Sequence, residues 1–102
     1  MTRRDTQFTV NAESVQGNEG ATATFQHITV GERLEYLADD EINDFIMVRR
    51  HLLSWSGIVD NDDRELPDPK DEPGVFDALY LPEMRALALI MWRGPDEADS
   101  KN

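Results

Sequence analysis

Leu53-Ser54-Trp55-Ser56-Gly57-Ile58-Val59-Asp60-Asn61-Asp62-Asp63-Arg64-Glu65-Leu66-Pro67 separates two apolar regions of the chain, and its reading decides how they pack. Trp55 is a large apolar anchor and Gly57 frees the backbone beside it. Ile58 and Val59 are β-branched and favour extended chain. Asp60, Asn61, Asp62 and Asp63 are turn formers, because short polar side chains bond their own backbone and tolerate unusual φ. Leu66 and Pro67 close the excursion. The pattern predicts a short strand, a tight acidic turn and a short return, pinned by Trp55, Ile58 or Val59, and Leu66. Helices on either side would pack around that pin.

Upstream, Glu41–Leu53 carries Ile42, Phe45, Ile46, Val48, Leu52 and Leu53 at helical spacing, with Met47 widening the face. Arg49 and Arg50 near its end complement the helix dipole. Before it, Thr29-Val30-Gly31-Glu32 has the form of a capping box. The helix it starts would turn Leu34 and Leu37 inward and leave Tyr36 at the edge. Further back, Phe8, Val10 and Ala12 alternate, as do Ala21, Ala23 and Phe25, around the turn-rich Gln16-Gly17-Asn18-Glu19-Gly20. Two such runs predict an antiparallel hairpin with a loose loop. An isolated hairpin is marginal in water, so its Phe8 and Phe25 face must rest on the helices or on another subunit.

Downstream, Asp60–Glu72 holds seven acidic and two basic residues, with prolines at 67, 69 and 73 nearby. An exposed, stiffened loop is expected. Val75–Tyr80 reads as a helical turn with Phe76, Leu79 and Tyr80 on one side. Pro82 suits the first position of a last helix, in which Met84, Leu87, Ala88 and Met91 share a face. Gly94-Pro95 stops it. The fold class is therefore α+β: an N-terminal hairpin or arm (1–28), then a mainly helical core (29–94) of three to four helices interrupted by the Trp55 hairpin, then a disordered tail (95–102). Residues from Thr29 onward are expected to close a core without the hairpin. Met1–Asp5 is expected to be disordered too.

The run Trp55-Ser56-Gly57-Ile58-Val59-Asp60-Asn61-Asp62-Asp63, followed by Leu66-Pro67, resembles the Trp-x-Gly-Val-Val-Asp-x-Asp-Gly-x-x-Leu-Pro segment of the small tail assembly chaperones of long-tailed bacteriophages. The similarity extends roughly from Thr29 onward and departs at Asp63, where that family often has glycine. It implies a non-catalytic protein that coats the tape measure protein while tail-tube subunits polymerise around it. It also implies a site of action in the cytoplasm of the bacterial host, absence from the mature virion, and self-association. In that family a ribosomal slip near the end of the short reading frame adds a domain, and Ser100-Lys101-Asn102 is compatible with such a slip.

The chain has 102 residues and a formal net charge of −11. Its apolar content of 39% is low, so the core must be modest. The acidic excess disfavours nucleic acid and anionic membranes as partners, since the phosphate contribution would be repulsive. There is no cysteine, hence no disulfide or thiolate metal site. No apolar run approaches the ~20 residues that span a bilayer, and the arginines at 3 and 4 precede no apolar leader segment.

No catalytic constellation is present in the sequence, and no cofactor is expected. The acidic turn fails as a calcium loop: from Asp60, the fifth position is Arg64 and the sixth Glu65, where a ligand and a glycine are needed. His27 and His51, the two histidines, lack a second ligand at helical spacing and read as surface or dipole-complementing residues. Trp55, Gly57 and Leu66 are structural anchors. The candidate partner or self contacts are Phe8, Phe25, Met84, Met91 and Trp92. Methionine suits adaptable binding surfaces, although the same residues could simply close a small core. Two other functions fit the composition. One is a structural tail or head–tail connector subunit that extends a neighbour's sheet; the other is an acidic mimic of DNA.

Overall fold

A computed structural model describes residues 6–95; the expectations for Met1–Asp5 and for the tail from Asp96 on, including the slip site, lie outside these residues. The order of elements is β1 (Gln7–Asn11), α1 (Glu13–Gln16), β2 (Thr22–Gln26), α2 (Val30–Ala38), α3 (Asp44–His51), β3 (Leu52–Ser56), a 3₁₀ helix (Pro73–Ala78) and α4 (Leu81–Arg93). The fold is α+β, with a three-stranded antiparallel sheet in the order β1-β2-β3.

The hairpin is not an arm. β2 is the middle strand, placing Phe8 opposite Phe25 on one side and Ala23 opposite Trp55 on the other. Phe25, Ala23 and Ala21 are buried in the same core as Trp55, Leu87 and Met91. The alternation within residues 7–26 identifies both strands correctly, but the third strand that makes them integral comes from Leu52–Ser56. Only its first two residues, Leu52 and Leu53, lie where the helix was expected to end; the rest falls in the stretch expected to hold a short strand. α3 starts at Asp44, with Asn43 as N-cap accepting from the backbone N–H of Ile46, and gives way to β3 at Leu52. Ser54 and Ser56 alternate with the buried Trp55, a period of two that suits a strand with one polar face.

Gly57 follows β3 with φ of +79°, and a Cβ there would lie 3.0 Å from Ala21. Both the left-handed backbone and the close approach call for glycine. Ile58 is fully buried, and Val59 forms a lone antiparallel bridge with Glu65 around the acidic turn. The turn is built as its composition predicts. Asp60 Oδ1 accepts from the N–H groups of Asp62 and Arg64, and Asp63 takes the positive φ of 60° at the position where the resembling family has glycine. Trp55 donates its indole N–H to the Leu66 carbonyl at 3.2 Å, and its ring meets Phe76 edge-on. The anchors Trp55, Gly57 and Leu66 thus converge.

The hairpin connection is ordered rather than loose. It contains α1, whose Gln16 reaches across to the acidic turn. Gln16 Nε2 donates to the Val59 carbonyl at 2.8 Å and to Glu83 Oε2 at 2.7 Å. Its Oε1 accepts from the Val59 N–H at 2.9 Å and from Asn18 Nδ2 at 3.2 Å. All four hydrogen-bonding positions of the amide are used. One side chain therefore joins the first hairpin, the central turn and α4.

α4 carries its apolar face as read, with Met84, Leu87, Ala88 and Met91 buried and Ile90 added. Glu83 Oε1 accepts from the Tyr80 N–H at the helix start, and Gly94 ends it at φ 72°.

Candidate partner-binding site

α2 begins as its sequence dictates. The Thr29 hydroxyl accepts from the Glu32 N–H and the Glu32 carboxylate accepts from the Thr29 N–H. That backbone N–H bond, the largest influence, holds the Glu32 carboxyl below its ordinary range, aided by the Thr29 side chain and by the positive charge of Arg50. The helix then departs from expectation. None of its residues is buried. Val30, Leu34 and Leu37 are 78%, 60% and 63% exposed, whereas Tyr36 packs against the core. Leucines spaced for an inward face point out, because one turn of the opposite face already supplies the contact.

That contact is aromatic and polar. The Tyr36 and Trp92 rings lie 5.0 Å apart. The Arg33 guanidinium sits 4.4 Å from the Trp92 ring centre and 5.3 Å from that of Tyr36. The geometry is that of a cation held over aromatic faces. Asp44 Oδ1 accepts from both the Tyr36 hydroxyl (2.6 Å) and the Trp92 indole N–H (2.9 Å). The bond to Asp44 favours the protonated phenol and pushes the Tyr36 hydroxyl up. Arg50 and Glu35 add an exposed ion pair at 3.7 Å.

Beside this cluster runs an open groove of about 760 Å³, lined by Phe8, Ile28, Tyr36, Leu37, Met91 and Trp92 among others. Phe8 stacks on Phe25 with ring centres 5.6 Å apart and packs at a tilt against His27, 4.7 Å away. Of the five residues expected to meet a partner, the structure brings Phe8 and Trp92 together at this groove, both half-buried. Met91 contributes to its lining but is itself buried. Phe25 and Met84 belong to the core and cannot reach a partner while the fold is intact. Residue type alone marks them for a partner surface, and their burial depends on β3 and α4, which the local pattern does not position.

Sequence reasoning missed Val30, Leu34 and Leu37. Their spacing was visible, but which side of α2 faced the core was not. It also misplaced His51, which is 3% exposed. Its Nε2 lies 3.3 Å from Glu32 Oε2, yet the two are not aligned, and neither ring nitrogen has a hydrogen-bond partner among the described residues.

Among the described residues there is no group of three or more His, Asp or Glu side chains arranged to hold a metal ion, and no helix long and apolar enough to cross a membrane. Comparison with protein-family models, curated proteins and solved structures finds no match.

Proposed function

We propose that this protein is a non-catalytic assembly chaperone that shields the apolar face of a helical client, with α2 and the Trp92 groove as its binding surface. The observation that carries the reading is the exposed Val30, Leu34 and Leu37 face of a helix that buries none of its own residues. Exposed apolar residues contiguous with a groove mark interaction surfaces. Their surroundings are acidic: Glu35, Asp39, Asp40 and Glu41 are all exposed nearby in the chain, and Arg33 is engaged with Trp92. A client with an apolar face and basic flanks would fit. The resemblance of Trp55–Pro67 to the phage tail assembly chaperones supplies the particular proposal. The client is then the tape measure protein, the setting the host cytoplasm, and the tail-tube protein a further partner. Weak individual contacts suffice when many copies line one rod, and they allow later displacement by the tube.

Co-expression tests this. A helical tape-measure segment that is insoluble alone should become soluble with the parent chain and remain insoluble with the Leu34→Glu/Leu37→Glu variant, whose substitutions at exposed positions should leave the circular dichroism unchanged. Equal solubilisation by parent and variant would remove α2 from the binding surface.

A further inference from the structure

β1 is at one end of the sheet, and among the described residues no strand pairs with its outer edge. The other end is covered: Lys70 donates to the Leu53 carbonyl, and the Asp68 carboxylate and Glu65 carboxylate accept from the N–H groups of Trp55 and Gly57. Native sheets usually guard a free edge with a charge, a proline or a bulge. β1 reads Gln7-Phe8-Thr9-Val10-Asn11 and has none of these, and its register with β2 is unbroken.

The flanking bonds fix which groups face out. His27 donates to the Thr6 carbonyl and Ala12 to the Ala21 carbonyl. In an antiparallel ladder, narrow and wide pairs alternate, so the N–H and C=O groups of Gln7, Thr9 and Asn11 point away from β2. The polar face of the sheet is formed by Gln7, Thr9 and Asn11 from β1, Thr22, Thr24 and Gln26 from β2, and Ser54 and Ser56 from β3. It carries no charge, in a chain that is 30% charged.

We infer that the outer edge of β1 pairs antiparallel with β1 of a second copy of this chain, about a two-fold axis at Thr9, to form a continuous six-stranded sheet.

The strand is self-complementary in that register. Thr9 meets Thr9, and Gln7 meets Asn11, each pair exchanging the outward backbone bonds. On the polar face, amide lies opposite amide and hydroxyl opposite hydroxyl. On the inner face, the half-buried Phe8 comes opposite Val10 of the other copy, covering ring surface that the monomer leaves open. A net charge of −11 disfavours self-association over most of the surface. Within Gln7–Asn11 two copies approach along this edge without juxtaposing carboxylates. The pairing does not depend on the chaperone reading, since it rests on the β1 backbone edge and uses neither α2 nor a client, although Phe8 borders both this edge and the Trp92 groove.

The test is sedimentation equilibrium of the full chain over a wide concentration range, with circular dichroism as a check on folding. Thr9→Pro is the decisive variant. The Thr9 N–H faces outward, so its loss spares the β1–β2 ladder, and proline is tolerated on edge strands. Thr9→Lys is the second variant, placing like charges opposite each other at the axis. The parent should be a concentration-dependent dimer. Both variants should fold as the parent does and dimerise roughly ten-fold or more weakly. Leu34→Lys, on α2, should dimerise like the parent. A parent that stays monomeric, a Thr9→Lys chain that dimerises unchanged, or dimerisation lost on Leu34→Lys instead would each overturn the inference. Should Thr9→Pro unfold the chain, Thr9→Lys decides alone.

Discussion

Replacing Gln16 by alanine isolates the bond network that ties the two ends of the chain to its middle. The amide makes four hydrogen bonds, to both backbone groups of Val59 and to the side chains of Glu83 and Asn18. Each such bond contributes about 0.5–1.5 kcal/mol net. The site is half-buried, so water replaces some of what alanine removes, and the expected loss is about 2–4 kcal/mol. For a chain of this size, with a urea slope near ~1.3 kcal/mol per M, the midpoint should fall by about 1.5–3 M. Gln16→Glu gives a sharper signature. It replaces the donating Nε2 with an oxygen facing the Val59 carbonyl and the Glu83 carboxylate. At neutral pH it should be at least as destabilising as alanine, and its deficit should narrow on acidification, when a protonated acid donates again. Urea melts of parent and both variants, followed by circular dichroism at pH 7 and pH 4, measure this. A Gln16→Ala midpoint within about 0.3 M of the parent would mean that the amide is solvated in solution and the network is not closed.

Trp55→Ala should cost about 3–5 kcal/mol, and Trp55→Phe roughly 1 kcal/mol through loss of the bond to the Leu66 carbonyl; equal thermal midpoints for all three would place Trp55 at the surface. Gly57→Ala should destabilise by more than about 1 kcal/mol, because its φ is +79° and the new methyl meets Ala21; an unchanged melting temperature would contradict the close approach. Deleting residues 1–28 should abolish cooperative unfolding, since β2 is the middle strand; a folded helical remainder would return the hairpin to the status of an arm. Glu32 and Asp60 both have carboxyls held below their ordinary values of 4.5 and 3.8, chiefly by backbone N–H groups of Thr29 and of Arg64. Their stabilisation is present above those values and is lost as pH falls through the lower folded ones. Thr29→Ala removes the hydroxyl but keeps the backbone N–H, so it should raise the Glu32 pKa only in part and leave the carboxyl below its ordinary range, as NMR titration of the carboxyl carbons would show.

The parts of this fold that were legible in the sequence are those fixed by near neighbours. The Thr29–Glu32 cap, the alternation around Phe25, the Asp60 turn and the Gly94 stop all depend on residues within a few positions of each other. The misread parts depend on partners far along the chain. Leu52-Leu53 fits both a helix end and a strand, and only pairing with β2 selects the strand. Leu34 and Leu37 mark an amphipathic helix, but its orientation is set by Trp92 and Asp44, which hold Tyr36 and Arg33. Gln16 has no local signature at all, because Val59 lies 43 positions away. At the candidate site, Phe8 and Trp92 were identifiable as large residues near element ends. Phe25, Met84 and Met91 were indistinguishable from them until the sheet placed them inside.

The most direct test of the binding surface is NMR titration of the ¹⁵N-labelled chain with two synthetic Leu/Lys peptides of equal composition. One has its leucines at helical spacing on a single face, and the other has them scrambled. The amphipathic peptide should saturably shift the backbone amides of Val30–Ala38 and the Trp92 indole N–H, and the scrambled one should not. Equal responses to both peptides, or shifts confined to the acidic stretch Asp60–Glu72, would contradict a surface built on Val30, Leu34, Leu37 and the Trp92 groove.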